Sequence, residues 1–231
     1  PLWFANGNPA AAQQLMQLLA TSQVEGGNPR RYNLRAVQRA VAQGGPQAER
    51  VLSQAFVAYV RDTRRDPNVG IIYVDPELRP AAPPPAAILA AAALAPSLSR
   101  YVADLGWQNP VYGRLRQALT SRLYRSEAER RLLQLNMERA RALPAGGHRY
   151  IIVNAAAQRL YMYEDGKVVD SMRVVAGKPE PSQQTPMMNA YIRYVALNPY
   201  WNVPPETASH NLAPKVLKQG RAYFQEKGYQ V

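Results

Sequence analysis

The chain has 231 residues, with 28 basic against 16 acidic side chains for a formal charge of +12, only two His and no Cys. That length suits one large or two small domains with a substantial core, and 47% hydrophobic against 19% charged residues excludes a disordered polybasic tail. The lack of Cys excludes disulfides, thiolate metal sites and a cysteine nucleophile within these residues, and His148 and His210 are too few and too far apart for a His-rich metal site.

The opening Pro-Leu-Trp-Phe-Ala-Asn-Gly-Asn has neither the basic nor the apolar region of a signal peptide and no initiator Met. The sequence is therefore expected to begin inside a longer precursor, with targeting outside it. Leu15, Leu18 and Leu19, then Leu34, Val37 and Val41, define two amphipathic segments separated by the breaker Glu25-Gly26-Gly27-Asn28-Pro29. Ala48, Val51, Leu52, Ala55, Phe56, Tyr59 and Val60 fall on one face of a helix, which the spacing places over 51–60. Between positions 75 and 98 six prolines forbid a continuous helix, while the Ala-rich run 86–95 is long enough for a short one. That run is the nearest approach to a membrane span and falls well short of the roughly 18 apolar residues required.

Further helices are expected over 111–119 and 127–143, the second opened by Ser126 with Glu129 at the capping-box position. Leu143-Pro144-Ala145-Gly146-Gly147 then stops helix formation. Composition changes at the same place: all 18 basic residues before Pro144 are Arg, whereas 5 Lys and 5 Arg follow it. Beyond this point the apolar period becomes two. Strands are expected over 150–154, 159–163 and 167–175, the last two joined by Asp165-Gly166, a dipeptide suited to a type I′ hairpin turn. On the last strand Val168, Met172 and Val174 are expected on one side, interrupted by Asp170. A further strand is expected over 191–197 and a helix over 213–228, with Val216, Leu217, Tyr223 and Phe224 available for packing. The reading is a helical domain over 1–143, with a Pro/Ala-rich connection at 75–98, followed by a β-rich domain over 144–231.

These pieces stand in a recognisable order. Leu135-Asn136-Met137-Glu138-Arg139, the strand 149–154, Tyr163-Glu164-Asp165-Gly166-Lys167, Arg173-Val174-Val175-Ala176-Gly177-Lys178-Pro179, Gln184-Thr185-Pro186 and Asn198-Pro199-Tyr200-Trp201-Asn202-Val203-Pro204-Pro205 together resemble an L,D-transpeptidase of the YkuD type. More narrowly, the chain resembles the large periplasmic subgroup that carries a helical scaffold ahead of the catalytic domain. The segment opened by Asn109-Pro110-Val111 is similar to a helix-opening segment of that scaffold. With about a dozen residues between Leu119 and Leu132, the small peptidoglycan-binding module inserted there in many relatives is not expected.

The resemblance implies an α+β chain: an all-helical scaffold, then an incomplete mixed β-sandwich with a helical flap. It implies peptidoglycan as substrate and cysteine acyl transfer as reaction, with 3→3 crosslinks formed between a donor and an acceptor stem peptide. No catalytic residue is expected in this chain, because the family's His and Cys segment would lie beyond Val231. Neither a metal nor an organic cofactor is called for, and a membrane anchor would have to come from a segment absent here. A periplasmic location is implied by the resemblance alone.

Tyr200, Trp201 and Asn202 are the candidates for substrate binding, since the rings offer broad rigid faces and Asn supplies donors and an acceptor for a peptide. Trp201 has a second reading as a packing aromatic in a proline-shaped turn. Gln183, Gln184, Thr185 and Pro186 resemble a segment bordering the catalytic cleft, or form a surface loop. Tyr223, Phe224 and Tyr229 fall in the region that resembles the flap, where packing is the default role. His148 and His210 read as solvated loop or helix-edge residues. Two alternative functions stand beside transpeptidation: a catalytically inactive peptidoglycan-binding or scaffold protein and, less favoured, a basic nucleic-acid binder. The scattered pairs Arg30-Arg31, Arg64-Arg65 and Arg130-Arg131, without interleaved aromatics, argue against the nucleic-acid partner.

Overall fold

The computed structural model describes residues 1–145, 147–178 and 180–230, apart from the side chain of Ser182. Gly146 of the helix-stopping segment, Pro179 of the Gly-Lys-Pro motif and Val231 lie outside the described residues. The chain is α+β and divides into two compact units, Pro1–Tyr191 and Ile192–Val231.

In the first unit the apolar spacing becomes helices α1 (Ala10–Ala20), α2 (Leu34–Gln43) and α3 (Gly45–Thr63). Gly44 and Gly45, both with positive φ, turn the chain sharply between α2 and α3, and Pro46 then begins the new helix. The buried face of α3 includes Leu52, Ala55, Phe56, Tyr59 and Val60, in agreement with the periodicity. Around it the rings pack edge to face: Trp3 on Phe56 at 5.3 Å, Phe56 on Trp107 at 5.2 Å and Tyr32 on Tyr59 at 5.5 Å. The indole N–H groups are satisfied within this core, Trp3 donating to Ser53 Oγ at 2.9 Å and Trp107 to Thr63 Oγ1 at 3.3 Å.

The short helix predicted in the Pro/Ala-rich connection is α4 (Pro85–Leu94). The next helix, α5 (Leu98–Ala103), was not foreseen; Ser97 caps it by accepting from the Arg100 N–H at 3.3 Å. Helices α6 (Pro110–Thr120) and α7 (Glu127–Ala140) follow as expected. Ser126 caps α7 by accepting from Glu129 N–H at 3.1 Å, and the Glu129 carboxylate reaches back one residue beyond the capping-box position, accepting from Arg125 N–H at 2.6 Å. The predicted end at 143 is corrected to Ala140: Ala142 and Leu143 donate three residues back, to Arg139 and Ala140, in the tightened last turn before Pro144.

A buried polar node ties these helices together. Glu25 Oε1 accepts from the Tyr59 hydroxyl and from Arg116 Nε, both at 2.5 Å. Arg116 Nη2 also donates to Leu18 O at 3.1 Å and Thr21 Oγ1 at 2.7 Å, so one guanidinium joins α6 to the end of α1 and to the turn holding Glu25. The ion pair is almost dry, with side-chain exposures of 11% for Arg116 and 2% for Glu25.

Strands β2 (Tyr150–Asn154), β3 (Arg159–Glu164) and β4 (Lys167–Arg173) form an antiparallel sheet in that order. Asp165 and Gly166 both have positive φ, as the type I′ turn requires. A register shift at Met162/Tyr163 inserts Val169 between the pairs Tyr163–Val168 and Met162–Asp170. Val168 and Met172 remain about half exposed, so the apolar side predicted for this strand is uncovered in this unit.

The predicted strand over 191–197 is not formed. The pairing lies a few residues earlier, where β5 (Met188–Asn189) runs parallel to β1 (Ile72–Tyr73). A strand needs a neighbour's backbone groups as well as β-prone side chains. Here β1 offers partners only to this short stretch: Ile72 N–H donates to Met187 O at 2.9 Å and Val74 N–H to Asn189 O at 3.0 Å.

In the second unit, α8 (Pro205–Thr207) leads through a wide turn over Ala208–Leu212 into α9 (Ala213–Gln219), and α10 (Ala222–Glu226) follows. The helix predicted over 213–228 is thus split at Gly220, whose φ of 69° ends α9. Tyr223 is buried and has Tyr229 against its ring at 6.3 Å, whereas Leu217, expected to pack, is exposed.

Two outcomes follow from the first unit. Arg116→Ala leaves a dry carboxylate without its cation and is expected to cost about 3–5 kcal/mol in chemical denaturation; a loss below about 1 kcal/mol would show that the node is not a structural joint. Burial, reinforced by nearby carboxylates, raises the phenols of Tyr32, Tyr59 and Tyr112 above their ordinary value of 10.0. Their stabilising contribution is complete below that value and declines as pH rises above it, because the unfolded phenol releases its proton first. Tm should therefore hold level to about pH 9 and fall above about pH 10. Tyrosinate absorbance should rise with unfolding, and titration of all three phenols in the folded chain near pH 10 would contradict the assignment.

Candidate functional site

The β-sheet of the first unit is anchored by one buried side chain. Asn109, 1% exposed, precedes Pro110 and caps α6, its Oδ1 accepting from Val111 N–H at 2.9 Å. Its amide Nδ2 points the other way, donating to Pro144 O at 2.7 Å and to the Tyr150 hydroxyl at 2.9 Å. Tyr150 stacks on Tyr163 of the neighbouring strand with ring centroids 4.8 Å apart and planes within 7°. Desolvation raises the Tyr163 phenol above its usual value. The hairpin tip meets the same helix start: a Cβ on Gly166 would lie 3.0 Å from Pro110 Cγ, so this glycine serves both the turn and the close approach. At the rim Arg149 spans the first strand pair to Glu164 at 2.6 Å.

The β1–β5 pairing forms a separate clamp on the chain that follows β4. Asn189 Nδ2 donates to Ala142 O at 3.0 Å, and Tyr191 N–H donates to the buried Asp75 carboxylate at 2.7 Å. Between sheet and clamp, Gly177 N–H donates to Thr185 Oγ1 at 2.7 Å. A Cβ on Gly177 would lie 2.0 Å from Gln183 O and 2.7 Å from Thr185 N. The Gly177-Lys178 and Gln183-Gln184-Thr185 motifs therefore close one loop whose two strands touch through backbone, which only glycine permits. Gln183, Gln184, Thr185 and Pro186 are exposed on that loop.

Tyr200, Trp201 and Asn202 belong to the second unit. Tyr200 and Trp201 are 76% and 69% exposed, and the Tyr200 hydroxyl accepts from Gln230 Nε2 at 3.3 Å. Both rings thus offer free faces within their own unit. His210 sits in the wide turn, its Nδ1 within 3.1 Å of Ser209 Oγ and 2.9 Å of Glu206 O. Phe224 meets Tyr229 edge to face at 6.3 Å. The exposed rings and the Asn202 amide are groups that can stack and hydrogen-bond. Sequence reasoning marked Asn109-Pro110 as a helix start but missed the reach to Tyr150. It also missed Asp75 and Asn189, whose local sequence carries no signal of partners so far away along the chain.

This arrangement, a helical platform to which an antiparallel sheet and a glycine-closed loop are pinned, defines a scaffolded α+β protein. Residues 1–119 match the family model described as a scaffold domain, and residues 148–229 match that of the L,D-transpeptidase catalytic domain, YkuD type. A putative L,D-transpeptidase of Haemophilus influenzae is 29% identical over 133 residues, which cover 57% of this chain and 26% of that protein. The chain belongs to the L,D-transpeptidase family, in its scaffold-bearing branch.

Proposed function

We propose that the chain supplies the scaffold, over 1–143, and the first part of the catalytic domain, over 144–231, of a peptidoglycan L,D-transpeptidase that forms 3→3 crosslinks in the periplasm. The observation that carries this reading is the match of 148–229 to the catalytic domain, a stretch that includes β2–β4 and the glycine-closed loop.

In the proposed reaction a cysteine thiolate attacks the carbonyl of the third residue of a donor stem and expels the terminal D-alanine. The thioester is then taken by the side-chain amine of an acceptor stem, and the thiolate is released. A thiolate suits both steps, as a nucleophile in the first and a leaving group in the second. The 231 residues contain no Cys, so the nucleophile and its His partner are assigned to sequence beyond Val231, and this chain alone is proposed to be inactive. Tyr200, Trp201 and Asn202 are proposed to hold a stem peptide, the rings by their faces and Asn202 by its amide. Both rings are exposed within their own unit, so neither is committed to packing there.

The test is Trp201→Ala in the complete enzyme, with donor-stem turnover and Tm measured side by side. Turnover is expected to fall about tenfold or more with Tm nearly unchanged, as for loss of a contact aromatic. Equal losses in both would leave Trp201 a packing residue and remove this site.

A further inference from the structure

One face of α3, at the margin of the aromatic core, carries Gln54, Val57, Ala58 and Arg61 at helical spacing, and Arg65 follows just past the helix end. With α4 and the turn Pro29–Tyr32 it walls a groove of about 550 Å³, within the size range of ligand sites. Val57, Ala58 and Leu89 give it a half-buried aliphatic floor.

Three guanidinium groups stand around this floor, from Arg31, Arg61 and Arg65, against the single carboxylate of Asp62. Asp62 pairs with Arg31 at 3.1 Å and with Arg65, and also accepts from the Tyr32 hydroxyl at 3.2 Å, so its oxygens are already engaged. Arg61 is fixed by its bond to Pro83 O at 2.8 Å. The Arg31 and Arg65 side chains remain more than half exposed, at 58% and 52%. Each guanidinium has five N–H donors, so these rim groups are held in place with donors to spare and with excess positive charge. Gln54, exposed beside them, adds an amide able to pair with a peptide backbone. Among the described residues that line the groove there is no aromatic ring, the stacking surface that single-stranded nucleic acid uses.

We propose that this groove docks an acidic, aliphatic-rich peptide segment of a partner protein. Its carboxylates would be taken by Arg31, Arg61 and Arg65 and its aliphatic side chains by the floor. The proposal does not depend on the catalytic reading above.

The test uses the 231-residue chain and a fluorescein-labelled peptide of alternating Glu and Leu, followed by anisotropy, with Tm recorded for every variant. Gln54→Glu is expected to weaken binding and Gln54→Lys to strengthen it, at an exposed position where neither change disturbs the core. Arg31→Gln with Arg65→Gln should raise Kd by about tenfold or more, as for loss of charge-assisted contacts. Arg35→Gln with Arg39→Gln, exposed on α2, should leave Kd within about twofold if the site is local. Equal losses in the two double variants, or the same response to both Gln54 changes, would overturn the proposal in favour of diffuse charge. Binding to phosphatidylglycerol vesicles that follows the same variants while the peptide does not bind would overturn it in favour of a lipid surface.

Discussion

The constraint on which the first unit depends most is the division of labour within one buried amide. Asn109 Oδ1 starts α6, and its Nδ2 holds both Pro144, just beyond the turn that follows α7, and the first residue of β2, Tyr150. A buried amide that makes three hydrogen bonds in fixed directions leaves little freedom for the groups it joins, and losing any one strands a polar atom away from water. The sheet inherits its placement from this joint. Tyr150 passes it to Tyr163 by stacking, and the hairpin tip returns to Pro110, next to the joint itself.

The helical part is built on the same principle with charge added. Arg116 and Arg141 are among the least exposed arginines, and each reaches backbone carbonyls as well as a carboxylate: Leu18 O and Glu25 for Arg116, Asp62 O and Glu138 for Arg141. A flat guanidinium can serve several acceptors at once where an ammonium could not, a physical use for Arg in an all-Arg half. The high positive charge of this half is therefore partly internal. What is left on the surface is uneven, and the α3–α4 groove concentrates it over an apolar floor.

Much of this architecture was legible in the residues. The apolar rhythm gave α1, α2, α3, α6 and α7 because each buries one stripe, and Asp165-Gly166 gave the hairpin because few dipeptides accept two positive φ angles. The ordered motifs pointed to the family. What was not legible depended on partners distant along the chain. The β1–β5 pairing uses two residues on each side, too few for any period to register, and is sealed by the bond from Tyr191 N–H to Asp75. The stretch 191–197 has strand-like side chains yet forms no strand, because β propensity describes fit to a neighbour and none is provided there. Of the candidate site, the exposed Tyr200-Trp201 pair was readable as chemistry. The contact of Gly177 with the Gln183–Thr185 backbone was not, since a glycine in a loop looks the same whether it turns or touches.

The hold of Asn109 on β2 and β3 is tested most directly by hydrogen exchange on Asn109→Asp. This change keeps the acceptor that caps α6 and removes the donors to Pro144 and Tyr150. Amides of β2 and β3 are expected to lose protection while those of α1 and α3 keep theirs, a local opening short of global unfolding. Unchanged protection in β2 and β3, or an equal loss throughout the unit, would contradict it.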